Sequence, residues 1–181
     1  MNVVVLDIDR TLIHSVLKCI VKEEWKKHFE HFEVDEFVVF LRPHIREFIN
    51  FLYDNNFKVG IFTASSREYA SEIVEYLFKD RDVLFFFSNK EYEESLDKYN
   101  IFKPLQYIVD IVDNIDIDKC VIVDDSSTIK KSNGERCYKI NPFVVCFDDV
   151  PKFYDLSIHD TGIINCIEWI KDRFHLMHLK R

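Results

Sequence analysis

An α/β fold built on a mostly parallel sheet is predicted for this chain of 181 residues by three observations. Short apolar runs alternate with segments of helical periodicity. Several of those runs end abruptly in carboxylates or a hydroxyl. Breakers are few, with three glycines and four prolines in all. Strands buried on both faces read as near-continuous apolar runs, and their alternation with amphipathic helices marks βαβ units.

Taken in order, VVVL (3–6) is the first buried strand. Residues 16–41 are mixed: Trp25, Phe29 and Phe32 fall at helical spacing, FVVFL (37–41) reads as a strand, and the geometry of the whole stretch stays open. In HIREFINFLYDNN, Ile45, Phe48, Ile49 and Leu52 share one helix face, and Asn55-Asn56 ends it. FKVGIFTAS is a second buried strand that stops at Thr63. Tyr69, Ile73, Val74 and Leu77 then form one helical side, with Ser65 or Ser66 as N-cap. VLFFF (83–87) is another strand. PLQYIVDIV is a helix opened by Pro104, a residue at home in a first turn. KCVIVDD is a strand running into Asp124 and Asp125; CYKI and FVVCF read as shorter strands. A helix from about Asp160 to Phe174 closes the chain, with Ile163, Ile167, Ile170 and Phe174 in a stripe.

Composition bounds the function. Hydrophobic residues make up 48% and charged residues 31%, an ordinary soluble composition, and 17 phenylalanines can fill one sizeable core. The net charge of −8 disfavours a protein that coats nucleic acid, although local charge decides for an enzyme that grips a single phosphate. The five cysteines are odd in number and show no C-x-x-C spacing, which reads as buried reduced thiols in an intracellular protein. No apolar run approaches the ~18 residues of a membrane span, and the apolar start lacks a basic leader. The expectation is a soluble protein of cytoplasm or nucleus, one domain over residues 1–181, monomeric by default.

The informative feature is VVVLDIDRT. In open α/β sheets ligands bind beyond the carboxyl ends of the strands. Asp7 and Asp9, Thr63, and Asp124 with Asp125 would meet there. Four carboxylates in one crevice repel unless a hard cation sits among them, and carboxylate oxygens suit Mg²⁺. Such a site fits phosphoryl transfer: one carboxylate attacks phosphorus, a second two residues away handles the proton, and a lysine neutralises charge. Asp124-Asp125 taken alone reads equally as a helix N-cap.

These motifs resemble the haloacid dehalogenase superfamily, and within it the small phosphatases acting on the C-terminal domain of RNA polymerase II. LDIDRTLIHS is similar to DLDETLVHS, LRPHIREFI to the family's R-P helix, IFTASSREYA to FTAS-x-x-YA, VIVDDSS to its late acidic motif, and CFDD (146–149) to WFDD. The resemblance implies a three-layer Rossmann-like core, essentially capless, with residues 16–41 as a small divergent flap after the first strand. It implies hydrolysis of phosphoserine or phosphothreonine in a protein or peptide through an aspartyl phosphate. Asp7 would be the nucleophile and Asp9 the acid/base, with its backbone carbonyl toward Mg²⁺. Asp7, Asp9, Asp124 and Asp125 would form the metal site. Thr63 and Thr11 would bind phosphate or orient Asp7. Lys103 in IFKPL would be the motif lysine, with Lys98 as the alternative. Arg10, Ser66, Arg67 and Tyr69 would meet the substrate. Arg10 replaces the usual Glu, and Ser66 replaces an apolar wall of a proline pocket, so weak selection for proline after the phosphorylated serine is expected. Lys130, Lys131, Arg136 and Lys139 form either a basic rim or a solvated loop, and His14 is structural. A polynucleotide or small-molecule phosphatase and a non-catalytic module are the competing readings.

Overall fold

Val3, Val4, Val5 and Leu6 are fully buried and form β1 (Val3–Leu6), the middle strand of a five-stranded sheet. In the computed structural model, which describes residues 1–145 and 158–176, β1 pairs in parallel with β5 (Lys58–Phe62) and β7 (Cys120–Asp124). Outside them lie β6 (Val83–Phe87) and β8 (Cys137–Lys139), in the order β6-β5-β1-β7-β8, every pair parallel. The one glycine of β5, Gly60, exists to admit the Phe85 ring, since a Cβ there would lie 2.2 Å from it.

Side-chain alternation along the strands sorts the helices into layers. Val4, Leu6, Val59, Ile61, Val121 and Val123 point to one face, against α2 (Ile45–Asp54), α3 (Arg67–Phe78) and α7 (Gly162–Arg173). Val3, Val5, Phe85 and Ile122 point to the other, against α5 (Leu105–Ile111) and α6 (Ser127–Asn133). On that second face lies α4 (Asn89–Tyr99), which the periodicity argument passes over because Ser95 is its one buried residue. Its signal is local: Ser88 and Glu91 form a capping box, with the Ser88 amide donating to Glu91 at 2.8 Å.

The divergent stretch starts earlier than residue 16. It is a second sheet, antiparallel, of β2 (Ile13–Leu17), β4 (Phe37–Leu41) and β3 (His31–Val34), in the order β2-β4-β3. The helical spacing of Trp25, Phe29 and Phe32 is realised for one turn only, α1 (Glu23–Lys26). Pairing with β4 takes over from His31, and Phe32 stacks on Tyr76 of α3 at 3.8 Å. Trp25 and Phe29 pack with Val16, Val38, Phe40, Phe143 and Val145 in a small core of their own. Phe143–Val145 is therefore buried, yet it forms no strand. The Phe143 amide goes to the Arg10 carbonyl instead of a sheet ladder. The rest of FVVCF and the CFDD motif lie outside the described residues. Of the four described cysteines, Cys120, Cys137 and Cys166 are buried as expected, and Cys19 is exposed. Among the described residues no helix is long and apolar enough to cross a membrane.

Arg42, from the R-P motif, locks the two sheets and the last helix together. It is 1% exposed. Its Nε and Nη2 each donate to Asp160 at 2.8 Å, its Nη1 to the Thr11 carbonyl at 3.0 Å, and its Nη2 also to the Asn141 carbonyl at 2.8 Å. Removing one partner of a buried, hydrogen-bonded pair leaves the other uncompensated. Arg42→Met, which keeps volume and loses charge, is expected to lower unfolding stability by about 3–5 kcal/mol. Urea titration of both proteins measures this, and a loss below ~1 kcal/mol would contradict the assignment of Arg42 as the tie.

Candidate active site

Because β1 lies between β5 and β7, their carboxyl ends share one rim. Leu6 is in register with Ile61 and Val123, and the Asp7 amide continues the ladder to the Val123 carbonyl at 3.1 Å. The sequence-predicted residues Asp7, Asp9, Thr63, Lys103, Asp124 and Asp125 accordingly line one cavity of about 320 Å³. Ser65, Ser126, Tyr92 and Phe102 complete its wall.

Asp7 is gripped from two sides. Thr11 donates to Oδ2 at 2.8 Å, and Lys103 Nζ donates to Oδ1 at 2.6 Å. Lys103 also donates to Asp124 Oδ2 at 2.8 Å. Burial alone would push the Lys103 ammonium toward neutrality, but Asp7 and Asp124 outweigh it and hold the lysine charged. Lys98, the alternative, lies on the surface against Asp110. Thr11 is fully buried under Asp7. Of the two roles expected for it, orienting Asp7 is the one this contact supports, since Thr11 has no open face for a substrate.

Lys103 reaches the site from a loop at φ 43, a region a residue before proline rarely adopts. Asn133 holds that loop on both sides of Pro104: its Nδ2 donates to the Lys103 carbonyl at 3.0 Å and its Oδ1 accepts the Leu105 amide at 2.9 Å. Sequence reasoning missed Asn133. It stands immediately before Gly134 and reads as a helix terminus, with nothing local to link it to residue 103.

Ligand oxygens of Asp7, Asp124 and Asp125 all lie within 4.8 Å of one another. Burial, then the charge of Asp7, pushes Asp124 up to about 6, and the same two causes raise Asp125. Three carboxylates against one ammonium leave two negative charges, which one divalent cation would balance. The hard oxygen donors fit Mg²⁺. The Asp9 side chain is not part of this set. It turns toward α3, where Tyr69 donates to Oδ1 at 2.8 Å and Ser65 donates to Oδ2 at 2.6 Å. Burial raises its pKa, and the two hydroxyls act in the opposite direction. Ser65 was a candidate N-cap in the sequence; Ser66 takes that place, accepting the Tyr69 amide, which frees Ser65 for Asp9.

A second, wider cavity of about 870 Å³ adjoins the first and shares Asp9 and Ser65 with it. Ser66 and Tyr69 line it as expected, together with Ser15, Asp35, Glu36 and Phe37. Two expected substrate contacts are absent from both cavities. Arg67 lies over the Phe86 ring at 4.8 Å and donates to the Phe86 carbonyl, because the edge of β6 offers it both a ring and an acceptor. Arg10 sits at φ 62 in the tight turn after β1, where its charge acts on Asp125 and His14. Lys130 donates to the Cys137 carbonyl and Arg136 pairs with Asp118, while Lys131 and Lys139 are exposed. None of the four lines either of these two cavities, and the exposure of Lys131 and Lys139 accords with the solvated-loop reading.

With this geometry in place, comparison with known proteins is informative. The family described as NLI interacting factor-like phosphatase matches residues 2–171. A CTD phosphatase-like protein, 355R of Invertebrate iridescent virus 3, is 28% identical over 90% of this chain and 91% of its own. Its counterpart in Invertebrate iridescent virus 6 is 27% identical over 82% of this chain and 90% of its own. The fold resembles that of the fission yeast RNA polymerase II CTD phosphatase Fcp1 bound to beryllium fluoride. The TM-score is 0.57 at 16% identity, over 95% of this chain and 52% of that one. The chain thus spans about half the length of the Fcp1 structure it matches.

His14 bears on stability. Its Nδ1 accepts the Val145 amide at 3.0 Å, which requires that nitrogen to be unprotonated. Burial, and then Arg10, pushes its pKa down to about 4 from an ordinary 6.5. The folded-state value is depressed, so the stabilisation is complete above pH 6.5 and is lost as pH falls from there toward 4. The full effect is about 3 kcal/mol. His14→Gln keeps an acceptor and does not titrate. The stability advantage of the parent over this variant is expected to shrink across that window in urea titrations at pH 7 and 4.5. A constant difference would refute it.

Proposed function

The chain belongs to the NLI interacting factor-like phosphatase family, and on that footing we propose that it is a Mg²⁺-dependent phosphatase of phosphoserine and phosphothreonine in proteins, working through an aspartyl phosphate. One observation carries this reading. Asp7 is held between Thr11 and Lys103 at a cavity mouth, and a second carboxylate, Asp9, borders the same cavity two residues on.

Asp7, Asp124 and Asp125 would hold Mg²⁺, which when bound screens the charge of the phosphoryl oxygens. Asp7 attacks phosphorus: an O–P bond forms to its carboxylate as the P–O bond to the serine or threonine side chain breaks. The Asp9 carboxyl gives its proton to the departing oxygen. Water then attacks the aspartyl phosphate, Asp9 takes back a proton, and inorganic phosphate leaves with Asp7 restored. Lys103 balances the charge of Asp7 and Asp124 throughout, and the Thr63 hydroxyl borders the phosphate position.

The wider cavity supports a protein substrate, since it extends the site by more than twice its volume. Asp35 and Glu36 on its wall oppose a polynucleotide. The presence of every carboxylate together with the lysine opposes a non-catalytic module. Mg²⁺-dependent hydrolysis of a phosphoserine peptide, absent in EDTA, tests the reading. Asp7→Asn should lower turnover by at least ~10³, and a variant keeping a tenth of parent activity would sink the nucleophile assignment.

Specificity follows from the wall of the wider cavity. An apolar slot discriminates by about 1–3 kcal/mol for each ring or methylene it encloses. Here Phe37 and Tyr69 are the apolar surfaces among lining residues that are otherwise serines, Asp9, Asp35 and Glu36, so a proline ring would find little apolar enclosure. Trp25, Phe29 and Phe32, the aromatic residues of the divergent stretch, do not line this cavity. On matched phosphopeptides with Pro or Ala after the phosphoserine, kcat/KM is expected to differ by only a few-fold. A ratio above ~30 for proline would overturn this account.

A further inference from the structure

Asp9 sits after β1, next to Arg10 at φ 62, and its backbone forms an isolated bridge to Ile13 that leaves the carboxyl plane unfixed. Two hydroxyls fix it instead, one on each carboxylate oxygen. Ser65 donates to Oδ2 at 2.6 Å, and Ser65 borders both cavities. Tyr69 donates to Oδ1 at 2.8 Å, and Tyr69 lines the wider cavity alone. The Tyr69 hydroxyl has a second partner, Ser15 Oγ on β2. A phenol has one proton, and Tyr69 gives it to Asp9, so Ser15 is the donor in that pair. The polarity runs one way, Ser15 to Tyr69 to Asp9. The Tyr69 ring is itself braced edge-on by Phe37 of β4 at 5.8 Å.

We propose that Tyr69, braced by Ser15, is a positioning residue for proton transfer: its hydrogen bond to Oδ1 of Asp9 sets the plane in which that carboxyl meets the departing oxygen. The inference rests on the reading of Asp9 as the proton donor, and it gives the antiparallel sheet a part in the chemistry. The plane in which the Asp9 carboxyl is presented is set in this way by residues of β2 and α3.

The test separates positioning from a simple wall. A phosphoserine peptide loses an alkoxide that needs a proton, whereas 2,4-dinitrophenyl phosphate loses a group that does not. For each, kcat/KM reports the steps up to departure of that group. Tyr69→Phe keeps the ring against Phe37 and removes only the hydroxyl. Its kcat/KM is expected to fall ~10–100-fold on the phosphopeptide, through kcat with KM unchanged, and less than ~3-fold on the dinitrophenyl ester. Retained dinitrophenyl activity shows at once that the variant is folded. Ser15→Ala is expected to show the same selectivity with a smaller loss. An equal loss on both substrates, no loss on either, or a rise in KM with kcat unchanged overturns the inference. Asp9→Asn distinguishes the two levels. If it is itself unselective, the role of Asp9 fails and this inference falls with it. If it is selective and Tyr69→Phe is not, the positioning role alone fails.

Discussion

The Lys103 ammonium, buried between Asp7 and Asp124, is the constraint on which the rest of the molecule depends. Two carboxylates at the ends of adjacent parallel strands cannot share a dry pocket without a counter-charge, and one cation placed between them supplies it. That requirement explains several costly features. The chain enters a left-handed turn at Lys103 just before a proline, and Asn133 of α6 holds the turn from both sides. The lysine donates to Asp7 and Asp124 and not to the third carboxylate, Asp125, so three carboxylates share one buried ammonium. A pocket so arranged is poised for a divalent ion and a phosphate together.

The sheet order does the remaining placement. With β1 in the centre, its carboxyl end is flanked by those of β5 and β7, and no long loop is needed to gather the site. Arg42 then ties the turn after β1 to Asp160 ahead of the last helix, through carbonyls that the turn cannot satisfy internally. Catalytic geometry and global stability thus share one buried guanidinium.

Much of this is readable in the amino-acid order, for identifiable reasons. The strands of the parallel sheet announce themselves because burial on both faces removes polar residues, and the carboxylates that follow mark where each strand meets the cavity. Lys103 is legible only through family spacing, since nothing near it in sequence shows that a lysine will be buried 96 residues from its partner Asp7. The antiparallel sheet is obscured because Trp25, Phe29 and Phe32 satisfy a helical spacing that strand pairing overrides. Arg67 is misread because a cation near a motif looks available until an aromatic edge claims it. The link from Tyr69 to Asp9 is invisible for a different reason: a tyrosine on a helix face reads as packing, and which way its hydroxyl points is decided by tertiary structure.

The stack of Phe32 on Tyr76 has a consequence for the wider cavity. Glu30, beside it in the chain, accepts Arg46 at 2.6 Å and Tyr76 at 3.3 Å, so the antiparallel sheet is fastened to both α2 and α3 by side chains two residues apart. Ser15 and Phe37 of that sheet and Tyr69 of α3 wall the wider cavity, so these fastenings set its width. On the proposed reading, selectivity comes from the fit of that width to an extended segment of the substrate.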